Sequence, residues 1–430
     1  RHISDLPGDN VTDKLVVIGL GYVGLPLAQA AIQSGMSVQG LDVSSRVVDG
    51  LNSGNSHVDD LSDEDIRAMI DAGFRASTDP AVLVDADVAV ICVPTPLDAA
   101  GGPDLRAVRS AVSMVRAQLH RGQTVILEST TYPGTTDEEV RPVLESTGLQ
   151  AGKDFFLAFS PERIDPGNPV YGIKNTPKVV GGVDPASTVK AASFYRQFID
   201  TVVEAKGARE AETAKLLENT YRHINIALVN EMARFCHELD IDLWDVIAAA
   251  RTKPFGFQAF YPGPGVGGHC IPIDPNYLSF QVRAKLGYTF RFVELAQEIN
   301  STMPAYVAQR VQDVLNDESK AVRGSKVLLL GVTYKPNIAD ERESPARPVA
   351  EALLAMGAEL QFHDPHVSLW HVAGTTMDVV PDLSRALADA DVVVLLQAHS
   401  VYDLTSITAQ SKRIFDTRGV VSSAPNVVTL

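Results

Sequence analysis

The chain has 430 residues, 45% of them hydrophobic, and a formal net charge of −16. At about 150 residues per domain, that length implies two or three domains with sizeable cores. The acidic balance argues against nucleic acid or an anionic membrane as partner, and no run of about 18 apolar residues offers a membrane span. The cysteines, Cys92, Cys236 and Cys270, are widely spaced and form neither a disulfide framework nor a metal-ligand pattern. So few thiols fit a reducing cytoplasm. The polar opening RHISDLPGDN carries no secretory leader pattern and is left out of the fold reading. A local basic pocket for a phosphorylated small molecule remains compatible with all of this.

Lys14–Ile18 (KLVVI) reads as a buried parallel strand. It runs into Gly19-Leu20-Gly21-Tyr22-Val23-Gly24 and then LPLAQAAIQSG, a helix ending at Gly35. SVQGLD is a second strand, closing on Asp42, 21 residues past Gly21. Strand, glycine turn, helix, strand and acid together make the context of a dinucleotide site. The glycines permit a tight turn and let a pyrophosphate sit on the helix N-terminus. Asp42 can accept from a ribose 2′-OH, which favours NAD over NADP. Further apolar strands lie in residues 85–96, 123–136 and 155–167. Ligands of open α/β sheets bind beyond the strand C-terminal ends, which places Thr95, Thr130, Glu162 and Arg163 near the cofactor crevice. For the two hydroxyls, a turn or N-cap role is the competing reading.

From about residue 208 the pattern changes to one long helix. Leu217, Tyr221, Ile224, Leu228 and Met232 form an apolar stripe, either core or subunit interface. Lys215 and Asn219, four apart, share another face. Aimed at one point, an ammonium and an amide can hold an oxygen that gains negative charge; a solvated lysine beside a helix asparagine is the alternative. The aromatic run FGFQAFY, ending in Phe260 and Tyr261, leads into residues 262–275, PGPGVGGHCIPIDP. Glycine lets this backbone approach a ligand and proline stiffens it. Gly267, Gly268 and His269 put little bulk before the Cys270 sulfur, although a buried cysteine in a tight turn has the same sequence.

The last third repeats the first. KVLLL followed by Gly331 echoes KLVVI followed by Gly19, GAELQFHD echoes GMSVQGLD, and ADADVVVLL echoes VDADVAVIC. Its first turn, GVTYKPNIADERESP, lacks the glycine fingerprint and offers Lys335, Arg342 and Ser344 instead, which suit a phosphate ligand other than the dinucleotide. The expected class is α/β: two Rossmann-like doubly wound domains, 11–205 and 306–430, joined by a central long-helix domain, 206–305.

Three signatures now stand in one order: GLGYVGLPLA; AKLLENT before GPGVGGHCIPIDP; and GVTYKPNIADERESPA. Together they closely resemble the UDP-glucose/GDP-mannose dehydrogenase family over nearly the whole chain. The resemblance implies an N-terminal domain that binds NAD through Gly19, Gly21, Tyr22, Val23, Gly24, Asp42, Thr95 and Thr130. It implies a central helix with homodimer contacts and a C-terminal domain for the nucleotide diphosphate of a UDP-sugar. It also implies a reaction, two successive NAD-dependent oxidations that turn the sugar C6 alcohol into a carboxylate, with no metal.

By motif position, Cys270 resembles the family's catalytic thiol, and Lys215 and Asn219 the pair that steadies the substrate oxygen. Asp274 resembles the acid that helps activate water or orient the amine, and Thr130 the hydroxyl near C6. Lys335 resembles a substrate-binding lysine, and Arg342 a residue that touches the cofactor across the domain gap. Arg163, Phe260, Tyr261, Gly263, Gly267 and His269 are assigned to the substrate, with His269 either fixing its loop or acting in the chemistry. Ile273, His269 and Pro166 depart from the UDP-glucose members, which commonly carry a lysine, a small or aromatic residue and a second glutamate there. This pattern is more similar to the branch that oxidises UDP-N-acetylhexosamines, and it leaves Glu162, then Asp274, as base for the hydrolytic step. UDP-glucose or GDP-mannose is the alternative substrate, and a silent NAD-binding scaffold the alternative role. A two-domain 2-hydroxy acid dehydrogenase would share the Rossmann halves but leaves residues 262–275 unexplained.

Overall fold

The computed structural model describes residues 13–58, 60–98, 101–164, 168, 170–268 and 273–430. Pro166, His269 and Cys270 lie outside the described residues. The chain divides into two compact units. One takes the residues up to Glu218 together with Asn276–Lys285, the other Asn219–Pro275 and Leu286–Leu430.

The first unit runs β1 Lys14–Ile18, α1 Gly24–Gln33, β2 Ser37–Leu41, α2 Ser45–Asn52, α3 Asp63–Asp71, β3 Arg75–Ser77, β4 Val88–Ile91, α4 Arg106–Gln118, β5 Thr124–Leu127, α5 Arg141–Glu145, β6 Phe156–Phe159, β7 Lys178–Gly182, α6 Pro185–Tyr195 and β8 Val202–Glu204. Its sheet has the order β3-β2-β1-β4-β5-β6-β7-β8, parallel throughout except between β6 and β7. Alternate residues of a strand face opposite sides. Leu15, Val17, Val88, Val90 and Ile126 therefore enter one core, and Val16, Ile18, Ala89, Ile91, Val125 and Leu127 another. Helices cover both faces, which is why these strands read as unbroken apolar runs rather than alternating ones.

Helices α7 Ala208–Glu238 and α9 Asp274–Leu286 each contribute residues to both units, α9 mostly to the first; the second unit further contains α8 Leu243–Arg251, α10 Arg291–Asp317, β9 Lys326–Leu330, α11 Ala346–Ala355, β10 Glu359–His363, β11 Leu369–Val372, β12 Thr375–Asp378, α12 Leu383–Asp389, β13 Val392–Leu395, α13 Leu404–Gln410, β14 Ile414–Asp416 and β15 Val427–Thr429. Its parallel sheet β10-β9-β13-β14-β15 has the connectivity of β2-β1-β4-β5-β6. The repeat extends to backbone detail. A Cβ at Gly19 (φ +90°) would lie 2.7 Å from the Cys92 carbonyl oxygen, and one at Gly331 (φ +74°) 2.3 Å from that of Gln397.

On α7, Leu216, Thr220, His223, Ala227 and Asn230 form the buried face. The stripe read as core or interface lies elsewhere on the helix: Leu217 is 64% exposed, Leu228 53% and Tyr221 46%. The core reading therefore does not hold for these three. Among the described residues no helix is long and apolar enough to cross a membrane.

Candidate active site

Strands β1 and β4 are neighbours, and the sheet is extended from them in opposite directions, so a crevice opens at their C-terminal ends. The turn Gly19–Gly24 crosses it. A Cβ at Gly24 would lie 1.9 Å from the Gly19 carbonyl oxygen, so this glycine lets α1 pack onto the turn. At Gly21 a Cβ would meet nothing within 4 Å, which leaves the open approach that a pyrophosphate needs. Val23 provides no side-chain cap for α1, so the N–H groups of that helix end face the crevice uncapped by a side chain. Asp42 accepts from the N–H of Leu20 at 3.0 Å and of Ser44 at 2.9 Å, and is fixed beside the turn half-buried. These residues, with Tyr22 exposed on the turn, fit a dinucleotide. Thr95 and Thr130 lie half-buried in the loops after β4 and β5. Those loops are joined by the Ser129 hydroxyl, which donates to the Val93 carbonyl at 2.7 Å, and the Thr95 carbonyl accepts from the Tyr277 hydroxyl.

Beyond β6 the chain brings Glu162, Arg163 and Lys215 together. Lys215 donates through Nζ to the Glu162 backbone carbonyl. It is 8% exposed, which removes the solvated-lysine reading. The Glu162 carboxylate accepts from the N–H groups of Arg163 and Ile164, both at 2.7 Å, and its other oxygen lies 3.7 Å from Lys178 Nζ. Arg163 donates to the Pro177 carbonyl at 2.7 Å and pairs with Glu218 at 2.9 Å.

Three residues beneath this loop were not found from sequence. Lys178 Nζ lies 3.0 Å from Glu128 Oε1, with both side chains buried, and the Tyr195 hydroxyl donates to the same carboxylate. Burial pushes the Glu128 carboxyl up against the pull of Lys178. Burial also opposes the Lys178 charge, but Glu128 and Glu162 carry it above its ordinary value. A charged residue closing the apolar run TVIL was a visible signal for Glu128; its partner comes from another strand and needed the fold. Glu212, one turn before Lys215, was missed too. It accepts from the N–H groups of Gly134 at 2.6 Å and Thr136 at 2.9 Å and from the Thr136 hydroxyl at 2.6 Å, tying α7 to the loop that carries Thr130. Burial pushes its carboxyl up to about 7, against those three donors and Arg209.

In the second unit Asn219 donates to Asp274, which is 2% exposed at the start of α9. Two sequence-assigned residues are thus joined, while Lys215 has a different partner. The Gly263 N–H donates to Asn230 at 3.0 Å, and Asn230 donates to Asn300 at 2.9 Å. A Cβ at Gly267 would lie 2.7 Å from the Glu343 carbonyl oxygen, and one at Gly268 (φ +93°) 2.9 Å from the Tyr334 ring. The glycine–proline loop therefore leans on the segment between β9 and α11 that carries Lys335 and Arg342. Lys335 is half-buried there, and the Arg342 guanidinium forms a bidentate pair with Asp340, both bonds 2.9 Å. Phe260 meets Tyr221 edge-on at 5.7 Å, and Tyr261 stacks on Trp244 at 6.1 Å.

A glycine dinucleotide turn in one Rossmann unit, a second Rossmann unit without it, and a buried lysine beyond the strand ends define an NAD-linked dehydrogenase. The chain belongs to the UDP-glucose/GDP-mannose dehydrogenase family: residues 13–199 match its NAD binding domain, 209–302 its central domain and 328–423 its UDP binding domain. NAD is accordingly the cofactor. The chain is 34% identical over 422 residues to the UDP-N-acetyl-D-mannosamine dehydrogenase of Escherichia coli K12, covering 94% of this chain and 98% of that protein. It is 32% identical over 428 residues to the enzyme of that name in Methanococcus maripaludis, covering 96% and 94%. Among solved structures, the UDP-D-ManNAc dehydrogenase of Pyrococcus horikoshii superposes with TM-score 0.87 at 32% identity, covering 97% of this chain and 98% of that one. A UDP-glucose dehydrogenase of Pyrobaculum islandicum superposes with TM-score 0.84 at 26% identity, covering 99% of each.

Proposed function

We propose that the chain is a UDP-N-acetyl-D-mannosamine 6-dehydrogenase working through Cys270. The observation that carries this is the identity of 32–34% across nearly the full length of relatives bearing that name. Ile273, His269 and Pro166 support it, since each departs from the pattern of UDP-glucose members. The backbone alone favours no sugar, because a UDP-glucose dehydrogenase superposes almost as well, at TM-score 0.84; UDP-glucose is therefore the second reading.

NAD, when bound, would supply the hydride acceptor, one molecule for each of the two oxidations. Everything else falls to this chain's own residues. The first oxidation leaves an aldehyde at C6, which must gain a heteroatom before it can be oxidised again. The Cys270 thiolate adds to its carbonyl carbon and forms a thiohemiacetal. The second two-electron oxidation leaves a thioester. Water attacks it, giving a proton to Glu162 or Asp274, and the acid leaves as the thiol is restored. An oxyanion appears at C6 in several of these steps, and one preorganised donor there contributes about 3 kcal/mol. Lys215 and Asn219 supply it, Lys215 by exchanging the Glu162 carbonyl for the substrate oxygen.

In the same reading Lys335 holds the UDP diphosphate, and Arg342 reaches the cofactor once Asp340 releases it. The exposed stripe Leu217, Tyr221 and Leu228 pairs two copies of the chain. NAD and a nucleotide sugar are charged and do not cross a membrane unaided, which places the reaction in the cytoplasm. The test is NADH release from UDP-ManNAc, UDP-GlcNAc, UDP-glucose and GDP-mannose, with the acid measured. UDP-ManNAc is expected to give two NADH per acid and the highest kcat/KM. Faster turnover of UDP-glucose would transfer the assignment to the second reading.

A further inference from the structure

The second Rossmann unit repeats the acid of the first and then covers it. Asp42 follows β2 and accepts from the N–H of Leu20, one residue past Gly19, at 3.0 Å, and from that of Ser44 at 2.9 Å. Asp364 follows β10 and accepts from the N–H of Val332, one residue past Gly331, at 2.8 Å, and from that of His366 at 2.8 Å. The two carboxylates thus occupy equivalent places. Asp42 is half-buried and open to a ribose, but Asp364 is 3% exposed. His399, in the loop after β13, is 2% exposed and sets its Nε2 2.9 Å from the Asp364 oxygen that also binds Val332. Burial favours the neutral acid at Asp364, yet the bonds from His399 and the two N–H groups hold its carboxyl below the ordinary value.

The other imidazole nitrogen faces the opposite way. His399 Nδ1 lies 2.9 Å from the backbone N of Asn337. A backbone N–H can only donate, so Nδ1 accepts and the ring proton sits on Nε2, pointing at Asp364. Asn337 has φ +63°, a left-handed conformation that asparagine tolerates better than most residues. Its side-chain oxygen accepts from the Ser400 N–H at 2.8 Å and the Ser400 hydroxyl at 2.9 Å. Within the same loop the Thr333 hydroxyl donates to the Lys335 carbonyl at 2.8 Å. The segment carrying Lys335 is therefore stitched to His399 and Ser400 through one asparagine.

We propose that His399, oriented by Asp364, is a positioning residue that fixes the Lys335 loop for the diphosphate of the nucleotide sugar, at the place where the first unit binds its dinucleotide ribose. This rests on the reading of Lys335 as a diphosphate ligand. One sequence position has changed use between the two repeats: an acid that receives a ligand in the first has become, in the second, the anchor of an internal imidazole.

Asparagine and glutamine separate the two bonds of the ring. In His399→Asn the side-chain oxygen stands where Nδ1 was and keeps the Asn337 N–H. In His399→Gln the amide nitrogen stands where Nε2 was and keeps Asp364 but loses Asn337. UDP and NAD affinities are measured separately by calorimetry, with steady-state kinetics on the full chain. His399→Gln is expected to weaken UDP about tenfold or more and raise KM for the nucleotide sugar, with kcat and NAD affinity changed less than about twofold. His399→Asn should retain more UDP affinity than His399→Gln. The reverse order, an unchanged Kd for UDP in His399→Gln, or equal loss of UDP and NAD binding overturns the proposal. Lys335→Ala is measured beside them. If it binds UDP like wild type, the reading of Lys335 falls whatever His399 does; if it loses UDP while His399→Gln does not, only the positioning role falls.

Discussion

The three glycines of the dinucleotide turn should separate into fold and ligand roles when alanine replaces them. At Gly24 the added Cβ would lie 1.9 Å from the Gly19 carbonyl oxygen and 2.9 Å from Val17 Cγ1. A comfortable carbon–oxygen contact is about 3.3 Å, so α1 must move by roughly 1 Å or more against rigid backbone. Overpacking of that kind costs about 1–3 kcal/mol, which lowers Tm by several degrees in a unit of this size. At Gly21 the added Cβ would meet nothing within 4 Å, so Gly21→Ala should melt close to wild type. Its methyl instead stands where the pyrophosphate approaches, and NAD Kd should rise about tenfold or more, equivalent to roughly 1.4 kcal/mol. Thermal melts without ligand and NAD titrations of both variants decide the matter. If Gly21→Ala melts as low as Gly24→Ala, or binds NAD like wild type, the middle glycine serves the fold and the ligand argument fails.

Cys270→Ser should make almost no acid from UDP-ManNAc; acid formation at the wild-type rate would refute the thioester route. Lys215→Ala should lower kcat by about a hundredfold while KM changes little, because its contact with the C6 oxygen strengthens in the transition state. The opposite split would make it a simple binding residue. Glu212 is raised by burial from 4.5 to about 7, so the folded chain holds this proton more tightly than the unfolded one. Its contribution is full below pH 4.5 and is lost as pH rises through about 7, by up to about 3 kcal/mol. Urea midpoints of wild type and Glu212→Gln, compared at about pH 5 and about pH 8, should show wild type losing stability relative to the variant; a gap that does not change with pH refutes the assignment.

The parts of this chain that were legible in its sequence are those where one physical demand acts on neighbouring residues. Burial on both faces confines polar residues to the first position of β1, β5 and β9 and excludes them from β4 and β13, so these segments read directly as strands. Gly19 and Gly24 answer to backbone crowding, and Gly331 could be matched to Gly19 because the same crowding acts there. Residues whose meaning depends on a distant partner were not legible. Leu217 and Leu228 have the chemistry of core residues, yet apolar periodicity states that a face wants cover, not what covers it. Glu128 and Lys178 are each improbable in a buried strand and become reasonable only as a pair. Asp364 shows the limit most clearly. Its position in GAELQFHD matches that of Asp42 in GMSVQGLD, and its two backbone bonds repeat those of Asp42. What differs is a histidine in the loop after another strand, so the same local sequence logic yields an open acceptor in one unit and a closed one in the other. For this pair of acids the two repeats therefore diverge not in the duplicated strand end, but in the residue type that the loop after β13 brings back to it.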